Sequence, residues 1–113
     1  MLDIQDKAPE FALPDQDGHD ISLTALLKDH ILIAADLLAA AKAGDTAKVN
    51  TARNRWNTNA DDIATFLSAA NPQAWPVADM KAMMREHLDL TLEEASARLR
   101  GDWTADIAAY DKI

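Results

Sequence analysis

The chain has 113 residues, 49% of them hydrophobic and 27% charged, a composition typical of one globular domain and not of a disordered chain. Nineteen acidic against eleven basic residues give a net charge of −8. This charge argues against nucleic acids and anionic membranes as partners, because both recruit clustered cations. Cysteine is absent, which excludes disulfides, thiolate metal sites and thiol catalysis. The longest apolar run, residues 31–41, is shorter than the ~20 residues of a membrane span. No basic and apolar leader is visible at the start, so we expect a soluble cytoplasmic protein.

The first segment, residues 1–21, predicts an extended arm or a β-hairpin. It lacks a 3.6-residue apolar period, and two short stretches, residues 10–13 and 20–23, alternate between apolar and less apolar side chains. Between them, residues 15–18 (DQDG) have the composition of a turn. A lone two-stranded hairpin is marginal in water, so we expect this arm to lie on the rest of the chain or to be mobile.

Residues 22–113 predict an all-α domain, a small antiparallel bundle of four to five helices. Alanine alone supplies 23 positions of the chain, and apolar residues recur at intervals of three and four. The first long helix ends at Gly44, and Asp45 caps a second long helix that ends before Pro72. Short connections between helices of this length imply antiparallel neighbours.

The remaining helices are predicted from their start signals. A third helix begins at Pro76, and Thr91 with Glu94 forms a capping box that predicts a short fourth helix ending at Arg100. Asp102 caps a fifth helix, whose inward face is predicted to comprise Trp103, Asp106, Ile107 and Tyr110. Because this pattern is still helical at Ile113, we expect either a chain truncated within a helix or a partner that covers this end.

Four polar side chains lie on the apolar stripes, where an inward polar group needs a partner or a purpose: His30, Asn59, His87 and Asp106. Imidazoles and carboxylates that converge inside a bundle have the composition of a divalent metal site, so His30, His87 and Asp106 are the candidate ligands. The alternative is that these groups are hydrogen-bonded core residues or set the helix register. Haem held by the two histidines is a weaker alternative, because the chain has no Cys-x-x-Cys-His attachment.

Aromatic residues near the predicted seams form a second candidate site. Trp56, Asn59 and Trp103 could line a small-molecule pocket, since clefts between helices with aromatic walls are common ligand sites. The alternative is that the tryptophans fill the core and the joints between helices. A nucleophilic enzyme is hard to build from this chain, because no serine lies within a glycine elbow.

One resemblance covers residues 6–28. The string DKAPEFALPDQDG at residues 6–18, then ISL at 21–23 and LLK at 26–28, resembles the opening of a peroxiredoxin of the thiol peroxidase type. In that family the next strand leads to a proline-threonine-cysteine motif, whereas residues 31–45 here are alanine-rich and the chain has no cysteine. The resemblance therefore implies no catalytic residue, and thiol peroxidase activity is excluded.

A longer resemblance covers residues 26–113. The phrases LKDHILIAA (27–35), AKAGD (41–45), NADDI (59–63) after RW (55–56), EHL (86–88) and DI with YD (106–111) are similar to a group of small bacterial helical proteins of unassigned function. Some members carry names such as glycosyltransferase or acetylglutamate kinase, for which this chain offers no glycine-rich phosphate loop. The resemblance implies a helical fold that extends beyond Ile113, and it leaves open whether residues 1–28 and 29–113 belong together naturally.

The sequence thus favours a non-catalytic helical module that binds a metal ion, a small ligand or a protein partner, including a second copy of itself. Two alternatives stay open. One is a degenerate or truncated peroxiredoxin-like protein without peroxidase activity, and the other is a small enzyme that uses core histidine and aspartate side chains for acid–base chemistry.

Overall fold

A computed structural model describes residues 12–14 and 20–113 of the chain. Its four helices within these ranges are α1 (Leu23–Ala43), α2 (Thr46–Ala70), α3 (Val77–Arg100) and α4 (Trp103–Tyr110). The predicted all-α class is confirmed. None of the described helices combines the length and the apolar character that crossing a membrane requires.

Two three-residue strands precede the helices. β1 (Ala12–Pro14) pairs antiparallel with β2 (Asp20–Ser22), and Leu13 lies opposite Ile21. The rest of the predicted arm, residues 1–11 and 15–19, lies outside the described residues.

The starts of three helices and the ends of two agree with the local signals. Three side chains each accept a hydrogen bond from a backbone N–H three residues ahead: Ser22 at the start of α1, Asp45 at α2 and Asp102 at α4. Gly44 and Gly101 end α1 and α3 in the left-handed region, with φ of 71° and 75°. Glycine adopts this conformation at no steric cost.

The predicted break before Thr91 is wrong, because α3 runs without interruption through this residue. The Thr91 hydroxyl donates to the carbonyl of His87 at 2.7 Å, one turn back, and so does not cap a new helix. Leu88 is buried and Leu92 packs against the same core cluster. The inward stripe therefore continues across the predicted boundary, and this packing outweighs the capping signal.

The core lies where α2 packs between α1 and α3. Trp56 of α2 is at its centre, together with Leu37 of α1 and Leu88 of α3, each of which is 1% exposed. The remaining buried members of this cluster are Ile33, Ala52 and Ala60. The contacts between α1 and α2 are the most extensive, and those between α1 and α3 are few. The seam between the first two helices is thus the main one.

Helix α4 packs on α3 with a face that the sequence did not predict. Asp106 and Ala109 are buried, whereas Trp103, Ile107 and Tyr110 are exposed. The physical reason is that small residues allow the two backbones to approach closely: Ala97 of α3 and Ala109 of α4 both have no exposed surface. The bulky side chains of α4 consequently face away from α3.

Candidate functional site

A polar cluster ties α1 to α2 at the edge of the core. The Asn59 amide donates from Nδ2 to the carbonyl of Leu26 at 2.9 Å, and its Oδ1 lies 2.9 Å from Nδ1 of His30. Because an amide oxygen only accepts hydrogen bonds, Nδ1 of His30 carries the proton. In a neutral ring the lone pair is then on Nε2. The tie thus fixes both the orientation and the tautomer of His30.

The indole of Trp56 lies beside this cluster. The ring centroids of His30 and Trp56 are 5.4 Å apart, with 30° between the ring planes, within the range of aromatic pairs. Nε1 of Trp56 is buried and has no hydrogen-bond partner among the described residues. An unpaired buried N–H destabilises the fold by about 1–3 kcal/mol, and the apolar surface that Trp56 buries in the core offsets this cost.

An open groove of about 810 Å³ runs between α1 and α2 next to Asn59. Its walls carry Asp29, Asp36 and Asp62, and Arg55 pairs with Asp36 at 3.5 Å. Partial burial raises the pKa of Asp62, and the neighbouring Asp61 carboxylate raises it further. The charged residues of the groove therefore give it a net acidic lining.

Asp61 connects α2 to α3 on the opposite side of the same helical turn. Arg85 donates to both of its oxygens, at 3.3 Å and 2.8 Å. This bidentate pair holds the pKa of Asp61 below its ordinary value, mainly through the hydrogen bond and then through the charge of the guanidinium. Two adjacent carboxyl groups thus have pKa values shifted in opposite directions.

Asp106 belongs to a separate cluster between α3 and α4. Arg98 donates to its carboxylate at 3.2 Å, and the same guanidinium lies 5.5 Å from the ring centre of Trp103. The Asp106 side chain is 11% exposed and that of Arg98 is 71% exposed. The ion pair therefore holds the polar side of α4 against α3, and the cation–π contact lays Trp103 along the surface.

His87 is exposed on α3 at a third place. It lines a groove of about 380 Å³ where the end of the described chain meets α3, together with Met83, Leu90 and Ile113. Met83 is 52% exposed and Ile113 is 47% exposed. This groove is apolar with a polar rim.

The candidate metal ligands are therefore not brought together. His30 bonds to Asn59, Asp106 bonds to Arg98, and His87 lies in the groove of α3. Within the described part of the chain, no three histidine, aspartate or glutamate side chains are placed to hold a metal ion. The predicted inward position of His87 is wrong, because this side chain is exposed, and His30 and Asp106 pair with different residues.

The candidate ligand-binding residues are likewise divided. Asn59 lines the groove between α1 and α2, and Trp56 is 5% exposed in the core. Trp103 lies on α4 and is 57% exposed. The alternative in which a tryptophan fills the core describes Trp56, whereas Trp103 is on the surface.

A surface feature that sequence reasoning missed is the outer side of α4, which we call the α4 face and define as Trp103, Ile107 and Tyr110. These side chains recur at intervals of four and three and are 57%, 61% and 67% exposed. They therefore form one continuous stripe. The available signal was Ala109, which together with the pairing of Asp106 and Arg98 marks the other side of α4 as the one that packs.

Comparison of the chain with protein-family models, with curated proteins and with solved structures found no match. The two resemblances drawn from the sequence stay predictions.

Proposed function

We propose that this protein is a non-catalytic helical interaction module that docks a protein partner through the α4 face. The observation that carries the proposal is the orientation of α4, which buries an aspartate and an alanine while two aromatic rings and an isoleucine point into solvent.

Burial of large apolar side chains does not account for this arrangement. A helix that packs only for stability buries its largest apolar side chains, since each contributes about 1.5–3 kcal/mol when it leaves water. Helix α4 forgoes this gain for three large residues in succession. Exposed apolar patches with polar borders are typical of protein–protein interaction sites, and tryptophan and tyrosine are enriched among the residues that dominate binding.

The α1–α2 seam supports this proposal as the scaffold of the module. The bond between Asn59 and His30 and the cluster around Trp56 hold the bundle together, so α3 presents α4 from a packed base. A preorganised helix loses little conformational entropy when it binds, which favours affinity.

The test compares two neighbouring exposed positions of α4, whose side chains point about 100° apart around the helix. A photo-cross-linking amino acid at position 107, on the α4 face, is expected to give one discrete cross-linked product in cells. The same amino acid at position 108, which is also exposed but points elsewhere, serves as the matched control and is expected to give little product. Mass spectrometry then identifies the cross-linked residues, and an apolar patch on the partner supports the proposal.

Equal or diffuse cross-linking from both positions would contradict it, because a docking face requires a difference between the two positions. Circular dichroism of both variants checks that the helices are intact.

A further inference from the structure

We infer that α1 carries a second docking surface, which binds an amphipathic helix of a partner protein with acidic side chains along its border. We call this surface the outer stripe and define it as Leu27, Ile31, Ala34, Leu38 and Ala41. It shares no residue with the α4 face, so the inference goes beyond the proposed function. It follows from the spacing of the stripe, its exposure and its charge.

Two rows of mostly apolar residues follow α1 with the same spacing. The inward row comprises positions 26, 30, 33, 37 and 40. Its intervals alternate between four and three residues, and the outer stripe repeats these intervals one residue later. This alternation is the heptad spacing at which two helices pack side by side. Because a surface helix needs only one such row to pack on its core, the second row predicts a second helical neighbour for α1.

The described elements bury the inward row and leave the outer stripe exposed. Ile33 and Leu37 of the inward row belong to the core cluster. The three largest side chains of the outer stripe are instead exposed, by 46% at Leu27, 69% at Ile31 and 41% at Leu38. The stripe extends over fourteen residues, or about 21 Å at the helical rise of about 1.5 Å per residue. It therefore accommodates a partner helix of about three heptads.

The border of the outer stripe is basic. Lys28 and Lys42 occupy the positions that flank a heptad seam, and neither makes an ion pair within the described residues. Near the end of α1, Arg100 of α3 lines one groove together with Ala41 and Lys42, and none of the described acidic side chains lines it. Flanking charges of a heptad seam set the choice of partner, so we expect the partner helix to carry carboxylates at these positions.

The acidic residues within α1 lie on a different side of this helix. Asp29 and Asp36 line the groove between α1 and α2, where Asp36 pairs with Arg55. The border of the outer stripe is thus locally basic in a chain of net charge −8. A second copy of this chain would offer the same lysines and no carboxylate from this border. An acidic helix therefore complements the outer stripe better than a second copy does.

The first experiment measures the binding of two labelled synthetic peptides by fluorescence anisotropy. Both peptides have about three heptads with leucine on one face, and their flanking positions are glutamate in one peptide and lysine in the other. The natural chain is expected to bind the glutamate peptide about tenfold more tightly than the lysine peptide. Salt at about 0.15 M screens exposed charges that are more than about 8 Å apart. The comparison therefore reports on the border of the stripe and not on the net charge of the chain.

Substitutions within α1 locate the binding of the glutamate peptide. Ile31→Asp places a charge in the middle of the outer stripe and is expected to abolish binding. Leu32→Asp is the matched control, because Leu32 is also exposed, at 64%, but lies outside the stripe, and it is expected to bind like the natural chain. Circular dichroism of both variants checks that the helices are intact.

The second experiment exchanges the charge of the border. A double variant with Lys28→Glu and Lys42→Glu is expected to reverse the preference, so that the lysine peptide binds about tenfold more tightly. Both lysines are exposed, so the double variant is expected to fold. A reversal distinguishes recognition of charge from general adhesion to an apolar surface.

Equal binding of both peptides, or binding that survives Ile31→Asp, would overturn the inference. Three further outcomes would overturn it by assigning the outer stripe to a different occupant. A doubling of molar mass that Ile31→Asp prevents would assign it to a second copy, and binding of phosphatidylserine vesicles in place of the peptide would assign it to a membrane. Peptide binding that occurs only after removal of residues 1–11 would assign it to the arm. Cross-linking from position 107 tests the α4 face separately, so either proposal can fail while the other stands.

Discussion

The seam between α1 and α2 and the hairpin of α3 and α4 join helices in two different ways. The seam buries large side chains, with Leu37 and Trp56 in one cluster, and closes its edge with the bond between Asn59 and His30. The hairpin joins at fully buried Ala97 and Ala109 and is held by the ion pair of Arg98 and Asp106. In the seam the bulky residues hold the fold together, and in the hairpin they are left for solvent or a partner.

The two junctions therefore differ in the size of the side chains that they bury. Close backbone approach through alanine uses little apolar area, so the hairpin gains less from burial than the seam does. The free energy that burial of Trp103, Ile107 and Tyr110 would contribute to folding is available for binding. We therefore expect substitutions in the seam to change the free energy of global unfolding, and substitutions in the hairpin to change only the local opening of α4.

The largest effect is expected from Leu37→Ala in the seam. Leu37 is 1% exposed, and loss of a fully buried leucine side chain together with the cavity left behind lowers the free energy of unfolding by about 3 kcal/mol. Urea denaturation measures the change. The control is Leu38→Ala, one position along α1, where the side chain is 41% exposed. Equal losses in both variants would break the comparison.

Asn59→Ala is expected to cost about 2 kcal/mol, because it leaves the Leu26 carbonyl and the ring of His30 without the amide that pairs them. Asn54→Ala, at an exposed position of the same helix, is the control and is expected to change little. The melting temperatures of the two variants show whether the hydrogen bonds of Asn59 stabilise the fold more than an exposed asparagine does. A loss below that of the control would show that the tie does not stabilise the seam.

Asp106→Asn is expected to cost about 1 kcal/mol or less, because its partner Arg98 stays mostly in water when the ion pair is lost. The loss is expected to be local. Hydrogen exchange of the α4 amides should accelerate while the amides of α1 and α2 keep their protection. Faster exchange throughout the bundle would mean that the hairpin and the seam unfold as one unit.

The smallest effects, each below about 1 kcal/mol, are expected from the neighbours Asp61 and Asp62, and they have opposite signs. The pKa of Asp61 is lower in the folded than in the unfolded chain. Its carboxylate therefore stabilises the folded state at pH values above the unfolded pKa, and this contribution is lost as the pH falls through the folded pKa. The pKa of Asp62 is raised, so its ionisation opposes folding near neutral pH and does not below the unfolded pKa.

Asp61→Asn should therefore lower the melting temperature at pH 7, and Asp62→Asn should raise it. Both differences should shrink as the solution is acidified towards pH 3, where the natural carboxyl groups bind protons. Melting curves at several pH values measure this. Shifts of the same sign at pH 7 would contradict the opposed pKa directions.

The helix ends were predictable because their signals act over three or four residues. The carboxylate of Asp45 reaches the backbone of Lys48 in the same turn, and Gly44 needs only its own conformation. The polar character of the seam was also visible, since Asn59 lies on the apolar stripe of α2. Its pairing with His30 was not visible, because this depends on how far α1 and α2 are shifted along one another.

The packing side of α4 was not predictable from periodicity. Ala105 and Ala109 lie on one side of this helix and Ile107 on the other, so both sides are apolar, and the larger residues gave the stronger signal. Ala97 and Arg98 decide the outcome from a different helix. The predicted inward position of His87 is wrong, since its side chain is exposed, and the inward position of Asp106 on its own helix carried no information about its distance from His30.

Because α3 is uninterrupted, one helix contacts two parts of the molecule. Leu88 near its middle packs in the core, and Ala97 near its end is buried where α4 packs. Because α4 lies outside the core, residues on its exposed side can be substituted without a change in core packing. Under the proposed function, substitutions on the exposed side of α4 would change which partner is bound and leave the buried residues of the bundle unchanged.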